Sequence, residues 1–306
     1  MTARLHDARL SWDEIRDVEL VILRRMKELA AGAHASVFHG AGFDLVGLRD
    51  WQPGDRPSAI DWPQSTITNY APLVVREFEQ PSTATITAVA DVSQSTRCGV
   101  EGTPIATLIA RAIATIGMSA VFFQDPFGLV TFDDDFTHLA CIRPRTGRGH
   151  VVHCLDAYQF QRGLDPMRRT ADIATTLASY FRSPTLLPVI SDFLFDQAHA
   201  VVRELALLNH RHDVFLVLVD SAFAFELPAV SAGWIETADV ETGRVRTLGR
   251  AAYRQLGTRV REWQASVEGA AREAGLDVVR IELDPQRFEH ALVELMDERR
   301  LRKTQG

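Results

Sequence analysis

The stretch Thr83-Ala84-Thr85-Ile86-Thr87-Ala88-Val89-Ala90-Asp91-Val92-Ser93-Gln94-Ser95-Thr96 begins as a β-strand and ends in oxygen-bearing side chains. Residues 83–92 predict the strand. Beyond its apolar part, Asp91, Ser93 and Ser95 alternate, and a turn into the next helix can aim all three at one spot. In an open α/β sheet, sites form outside the C-terminal ends of the strands. A second such end follows at Val189-Ile190-Ser191-Asp192-Phe193, where a carboxylate directly follows an apolar run. Carboxylate and hydroxyl oxygens are a hard donor set, suited to magnesium, manganese or calcium and unsuited to zinc. Asp, Ser and Ser after a strand also serve as plain helix caps. The second strand-end carboxylate tips the balance toward a metal.

Working outward, strands and helices alternate. The pattern predicts a helix over 103–123, with Thr103 as N-cap and Pro104 at the first position. Residues 129–132 and 136–142 read as a hairpin, and 149–159 and 171–181 as helices. A strand over 186–190, a helix over 196–209 and a strand over 214–219 follow. After a hairpin around 241–243 come a helix over 250–274, a strand over 278–283 and a helix over 286–301. Strands separated by helices of this length imply a mostly parallel sheet covered on both faces. Pro188 conflicts locally, because proline cannot donate to a ladder.

Before residue 83 the pattern differs. Ile15, Val18, Ile22, Met26 and Leu29 form one stripe of a helix over 13–29. Residues 35–80 read as turns and short strands, with 72–78 extended. The division is therefore 1–82, a helix and short-strand elaboration packed on the main domain, and 83–306, the α/β domain with a hairpin insertion near 221–249.

The composition of the 306 residues, 46% apolar and 24% charged, excludes disorder over most of the chain. The net charge of −7 argues against a protein that coats nucleic acid. Cys98, Cys141 and Cys154 are too few and scattered for a disulfide framework, which suits a reducing compartment. Residues 1–10 lack the apolar core of a secretory signal. Residues 104–123 are long and apolar enough to span a membrane. Arg111 inside them would cost roughly 2.5–3.5 kcal/mol near a bilayer centre, so a buried core helix is expected instead.

Other features read as structural. Gln52-Pro53-Gly54-Asp55 suits a type II turn. Trp62 is expected to pack as a buried brace, with Asp61 pairing Arg49 or Arg76. Asp133-Asp134-Asp135 reads as a hairpin turn, and His150 with His153 lacks a third zinc ligand. Arg143, Arg145 and Arg148 make a cationic loop that could hold a phosphate or an acidic partner, or simply be solvated. Arg299, Arg300, Arg302 and Lys303 read as a helix C-terminus facing water.

The Asp-x-Ser-x-Ser strand end with a later strand-end Asp resembles the metal-ion-dependent adhesion site of von Willebrand factor A domains. The resemblance implies a doubly wound, mostly parallel sheet. It implies Asp91, Ser93 and Ser95 as the first ligand loop and Asp192 as a ligand through water. Thr170, in Arg169-Thr170-Ala171-Asp172-Ile173, stands for the family's middle threonine, without the glycines that usually precede it. The ion would be Mg²⁺, or Mn²⁺ or Ca²⁺, and its open position would accept a partner protein's carboxylate, so the site binds and does not catalyse.

The flanks extend the resemblance. Residues 43–55, Ala59-Ile60-Asp61-Trp62, and 73–79 are similar to the signature of the bacterial family called domain of unknown function fifty-eight. Glu226-Leu227-Pro228 and 238–243 are similar to its C-terminal part, so the likeness covers roughly residues 29–301. Ser58-Ala59 stands where an arginine is common. Many members also carry N-terminal membrane helices, which this chain lacks, so a cytoplasmic protein with no membrane span is expected. The family implies a MoxR-type AAA+ ATPase as partner and an adaptor role in maturing or assembling an unknown client protein, with no nucleic acid. The alternative is a metal-dependent hydrolase using the same cleft. Against it, Ser93 stands where a dehalogenase-type phosphatase needs a second Asp. Walker A and Gly-x-Ser-x-Gly motifs are also absent.

Overall fold

The computed structural model describes residues 10–32, 44–52, 60–67, 69–70, 72–79, 84–100, 103–133, 136, 139–168, 172–225, 234–238, 245–283, 292–293, 295 and 299. The chain forms two compact units, one of residues 1–23 and 83–301 and one of 24–82 and 302–306.

The first unit is built on a seven-stranded sheet. Its strands are β3 (Thr85–Asp91), β6 (Phe127–Phe132), β7 (Ala140–Arg145), β8 (Asp165–Pro166), β9 (Thr185–Ser191), β10 (Asp213–Val219) and β13 (Asp277–Ile281), in the order β13-β10-β9-β3-β6-β7-β8. The five strands from β13 to β6 are parallel. β7 and β8 continue the sheet antiparallel. From β3 the chain moves to β6 on one side. It later resumes at β9 on the other side and winds away through β10 and β13. The strand order therefore reverses between β3 and β9, where open α/β sheets leave a crevice.

The central strands are buried on both faces, which is why they read as continuous apolar runs. On one face, α5 (Ile173–Tyr180), α6 (Ala198–Leu208) and α7 (Arg250–Glu273) cover Val89, Leu187, Val189 and Leu216. α3 (Ile105–Phe123) and α4 (Arg148–Phe160) pack together and onto the sheet from outside that cluster. α3 is long and apolar enough to suit a bilayer, yet 72% of its apolar window is buried inside the fold. Arg111 on α3 is 3.4 Å from Glu14, which gives its charge a partner at the edge of the core.

Two local departures from the sequence pattern have physical causes. A small hairpin, β4 (Gly99–Val100) with β5 (Thr103–Pro104), takes up the expected start of α3. The helix begins at Ile105 with Pro104 as its N-cap, one residue later than the Thr103 cap expected. Pro188 lies inside central β9. The β3–β9 register holds at Ile86↔Leu186 and at Val89↔Val189 but skips the two steps between, where proline has no N–H to give.

Of α1 (Trp12–Gly32), Ile15, Val18 and Ile22 are buried as the stripe requires. The expected helix over 286–301 lies mostly outside the described residues. Arg299 corrects the solvated-tail expectation: it is buried, pairs with Asp213 and Asp277, and lies 4.7 Å from the centre of the Phe215 ring. A guanidinium with two carboxylates is stable in a site where a lone charge would not be.

The second unit holds an antiparallel pair, β1 (Asp44–Asp50) with β2 (Val74–Glu79), and the short α2 (Trp62–Ile67). Asp61 is buried and caps α2, accepting the Gln64 N–H at 3.1 Å. Trp62 is 56% exposed, which corrects the expected buried brace: it starts α2 on the solvent side. In the first unit, β11 (Trp234–Ala238) and β12 (Val245–Gly249) form a further antiparallel pair.

Candidate metal site at the strand ends

Asp91 ends β3 and Asp192 follows β9, so the sheet sets the two carboxylates side by side at the point where its strand order reverses. Both residues are fully buried. The Asp91 carboxylate is held at both oxygens. Its Oδ1 accepts the Ser93 N–H at 2.7 Å, an Asx-type turn, and its Oδ2 accepts the Ser191 hydroxyl at 2.5 Å. The Tyr158 hydroxyl, from α4, donates to the Asp91 carbonyl at 2.9 Å.

Ser93 precedes a short 3₁₀ turn, Gln94–Arg97, but its side chain does not cap that turn. The Ser93 and Ser95 hydroxyls instead face each other at 3.0 Å. Ser95 then donates to Asp192 Oδ1 at 3.4 Å, and the Leu194 N–H donates to the same oxygen at 3.1 Å. The other oxygen, Asp192 Oδ2, is buried and has no hydrogen-bond partner among the described residues.

The turn after β9 is held from several sides. Ser191 Oγ accepts the Phe193 N–H at 2.8 Å while donating to Asp91. Phe193 has φ +53, a left-handed conformation that a bulky residue adopts only when its surroundings impose it. α7 supplies the restraint. Trp263 Nε1 donates to the Phe193 carbonyl at 2.8 Å. Gln264 Nε2 donates to the carbonyls of Asp192 and Val219 at 2.9 and 2.8 Å, tying the ends of β9 and β10 together.

Burial is the main force raising the Asp192 pKa, to about 7, and the neighbouring Asp91 adds to it; the Leu194 N–H and Ser95 hydroxyl pull the other way. Burial, then Asp91 and Asp192, push the Tyr158 hydroxyl well above its ordinary value, so it remains a donor. Two buried carboxylates and two hydroxyls form a cluster of hard oxygens, one carboxylate oxygen being unsatisfied among the described residues, and that chemistry fits a hard divalent cation.

The structure thus gathers Asp91, Ser93, Ser95 and Asp192. Thr170 lies outside the described residues, as do Asp134 and Asp135. Sequence reasoning missed Ser191, Tyr158, Trp263 and Gln264. Ser191 stood beside a named residue; the other three are polar groups on helices, with no signal until the chain is folded. Among the described residues no group of three or more His, Cys, Asp or Glu gathers to hold a metal. His150 contacts Cys154 at 3.7 Å on the same helix, and burial lowers its pKa.

Fold and site define a mixed α/β protein with a buried carboxylate–hydroxyl cluster at the switch point of a mostly parallel sheet. The chain belongs to the family described as protein of unknown function DUF58, whose model matches residues 47–266. Among solved structures it is similar to an aerotolerance-related membrane protein from Bacteroides fragilis, at 14% identity and a TM-score of 0.43, covering 70% of this chain and 99% of that one. It is similar to BatB from Bacteroides thetaiotaomicron at 14% identity and 0.40, with the same coverage. The pilus adhesin SpaC from Lactobacillus rhamnosus GG follows at 9% identity and 0.39, covering 74% of this chain and 32% of that one. Comparison with curated proteins gives no match.

Proposed function

We propose that Asp91, Ser93, Ser95 and Asp192, completed by Thr170, hold a divalent cation in the manner of a von Willebrand factor A-type adhesion site. Mg²⁺ is the expected ion, with Mn²⁺ or Ca²⁺ able to replace it, and the site captures a carboxylate of another protein. The observation that carries this reading is Asp192 Oδ2, a buried carboxylate oxygen without a partner among the described residues, beside a second buried carboxylate. Burying such charge is costly unless it is paired, and a cation supplies the pairing. The two serines are neutral donors, so they leave the ion charge with which to attract a further anion.

In this reading the chain's own residues do three things. Ser191, Tyr158 and the Ser93 N–H orient Asp91; Trp263 and Gln264 hold the backbone that presents Asp192; the apolar sheet keeps water from the carboxylates. The protein is a cytoplasmic adaptor that works with a MoxR-type AAA+ ATPase in maturing or assembling a client protein. Resemblance to its family supports that partner.

The test is affinity capture from the host's lysate in Mg²⁺ and in EDTA, with wild type and Asp91→Ala, read by mass spectrometry. An AAA+ ATPase recovered by wild type only in Mg²⁺, and not by Asp91→Ala, is the expected result. Equal recovery in EDTA removes the metal from the mechanism, and no ATPase under either condition removes the adaptor.

A further inference from the structure

A cleft of about 310 Å³ lies on the antiparallel side of the sheet, between β7, β8 and α5. We propose that it is a second binding site, for a small molecule carrying an oxyanion, either a phosphate or a carboxylate. Its size is at the lower end of small-ligand pockets, which start near roughly 300 Å³.

Cys141 and Arg143 line the cleft from β7, Asp165 from β8, Arg168 from the segment after it, and Ser179 and Tyr180 from α5. Cys141 and Arg143 are two apart on one strand and so share a face. Arg143 and Arg168 are exposed and form no ion pair among the described residues. Two guanidinium groups against one carboxylate make the cleft locally cationic on a chain whose net charge is −7. Guanidinium forks match the planar oxygens of carboxylates and phosphates, and unpaired forks retain that capacity. The Tyr180 hydroxyl lies beside the Cys141 thiol and is closed off from water, so the cleft presents the two guanidinium groups as its ligand-facing donors.

The site binds and does not react. Burial raises the Cys141 thiol and the Tyr180 hydroxyl, so both stay protonated near neutral pH and no thiolate is available as a nucleophile. Asp165 sets a second requirement. A ligand that places an ammonium or hydroxyl donor near this carboxylate is favoured over a bare polyanion.

Calorimetric titrations with orthophosphate and with malonate, in EDTA and at ionic strength fixed with sodium chloride, test the proposal. Saturable binding of at least one anion by wild type is expected. Arg143→Gln/Arg168→Gln weakens it at least tenfold. Both arginines are exposed, so the double variant keeps the fold, checked by circular dichroism. The charge-preserving Arg143→Lys/Arg168→Lys pair is a second variant and weakens binding less. Binding of phosphate alone assigns a phosphorylated ligand, and of malonate alone a carboxylated one. Saturable binding of neither, or affinity undiminished in the arginine variants, overturns the proposal.

Discussion

Asp192 carries a cost that its neighbours only partly relieve. Its pKa in the fold, about 7, stands above the roughly 3.9 of an unfolded aspartate. A carboxyl raised in this way adds stability that is fully present below the unfolded pKa and is lost as pH rises through the folded one. Without divalent ions, the protein therefore loses stability between about pH 4 and pH 7. Asp192→Asn has no such charge to bury, so its urea midpoint varies less across that range and exceeds that of wild type at pH 8 in EDTA. Parallel pH profiles for the two proteins would show that Asp192 is not the group responsible. Legibility at this scale was uneven. Asp91, Ser93, Ser95 and Asp192 stood out because two apolar strands each end in a carboxylate, one of them followed by alternating hydroxyls. Ser191 did not, since its role depends on a hydrogen bond to a residue 100 positions away.

At the scale of elements, packing between helices decides what periodicity cannot. Gly117 on α3 lies so close to α4 that an added Cβ would sit 2.5 Å from Val151 Cγ1 and 3.3 Å from Phe127 Cε1. Gly117→Ala should cost about 1–3 kcal/mol by overpacking, in spite of alanine's higher helix propensity. Val151→Ala in the same chain should recover much of that loss, because the two positions share one space. Additive costs in denaturant melts would rule out the contact as the cause. In the second unit, Trp62→Ala should change stability by less than about 0.5 kcal/mol, as expected of an exposed position, and a loss of several kcal/mol would restore the brace. α3, β9 and α7 were each visible in the sequence to within two residues at either end. β4, β5 and β8 were not, because two-residue strands have no period and exist only through their partners.

For the whole molecule, the proposed cation is linked to folding. A ligand that binds only the native state stabilises it by about 2.7 kcal/mol at one hundred times its Kd. For a unit of this size that is roughly 5–10 °C in Tm. Thermal melts in excess Mg²⁺ should show such a rise, EDTA should reverse it, and Asp91→Ala should lack it. An equal rise in Asp91→Ala would place the ion elsewhere. The sheet order explains why one ion could matter so much: the carboxylates come from the two strands between which the chain changes direction. α3 makes the same point about context. Its composition suits a bilayer, and only its place against the sheet and α4 makes it a core helix.

By itself the sequence determined the alternation of strands and helices, the mostly parallel sheet and the two strand ends that carry carboxylates and hydroxyls. Those properties are local, set by side-chain period, turn residues and the polarity of a few adjacent positions. Tertiary structure alone decided which strand lies beside which, and hence that Asp91 and Asp192 meet. It also decided that Tyr158, Trp263 and Gln264 reach the same place, that Arg299 is buried between two carboxylates, and that a cationic cleft forms beside α5. These contacts join residues tens of positions apart, and no local pattern records them, because only the burial of the shared core brings them together.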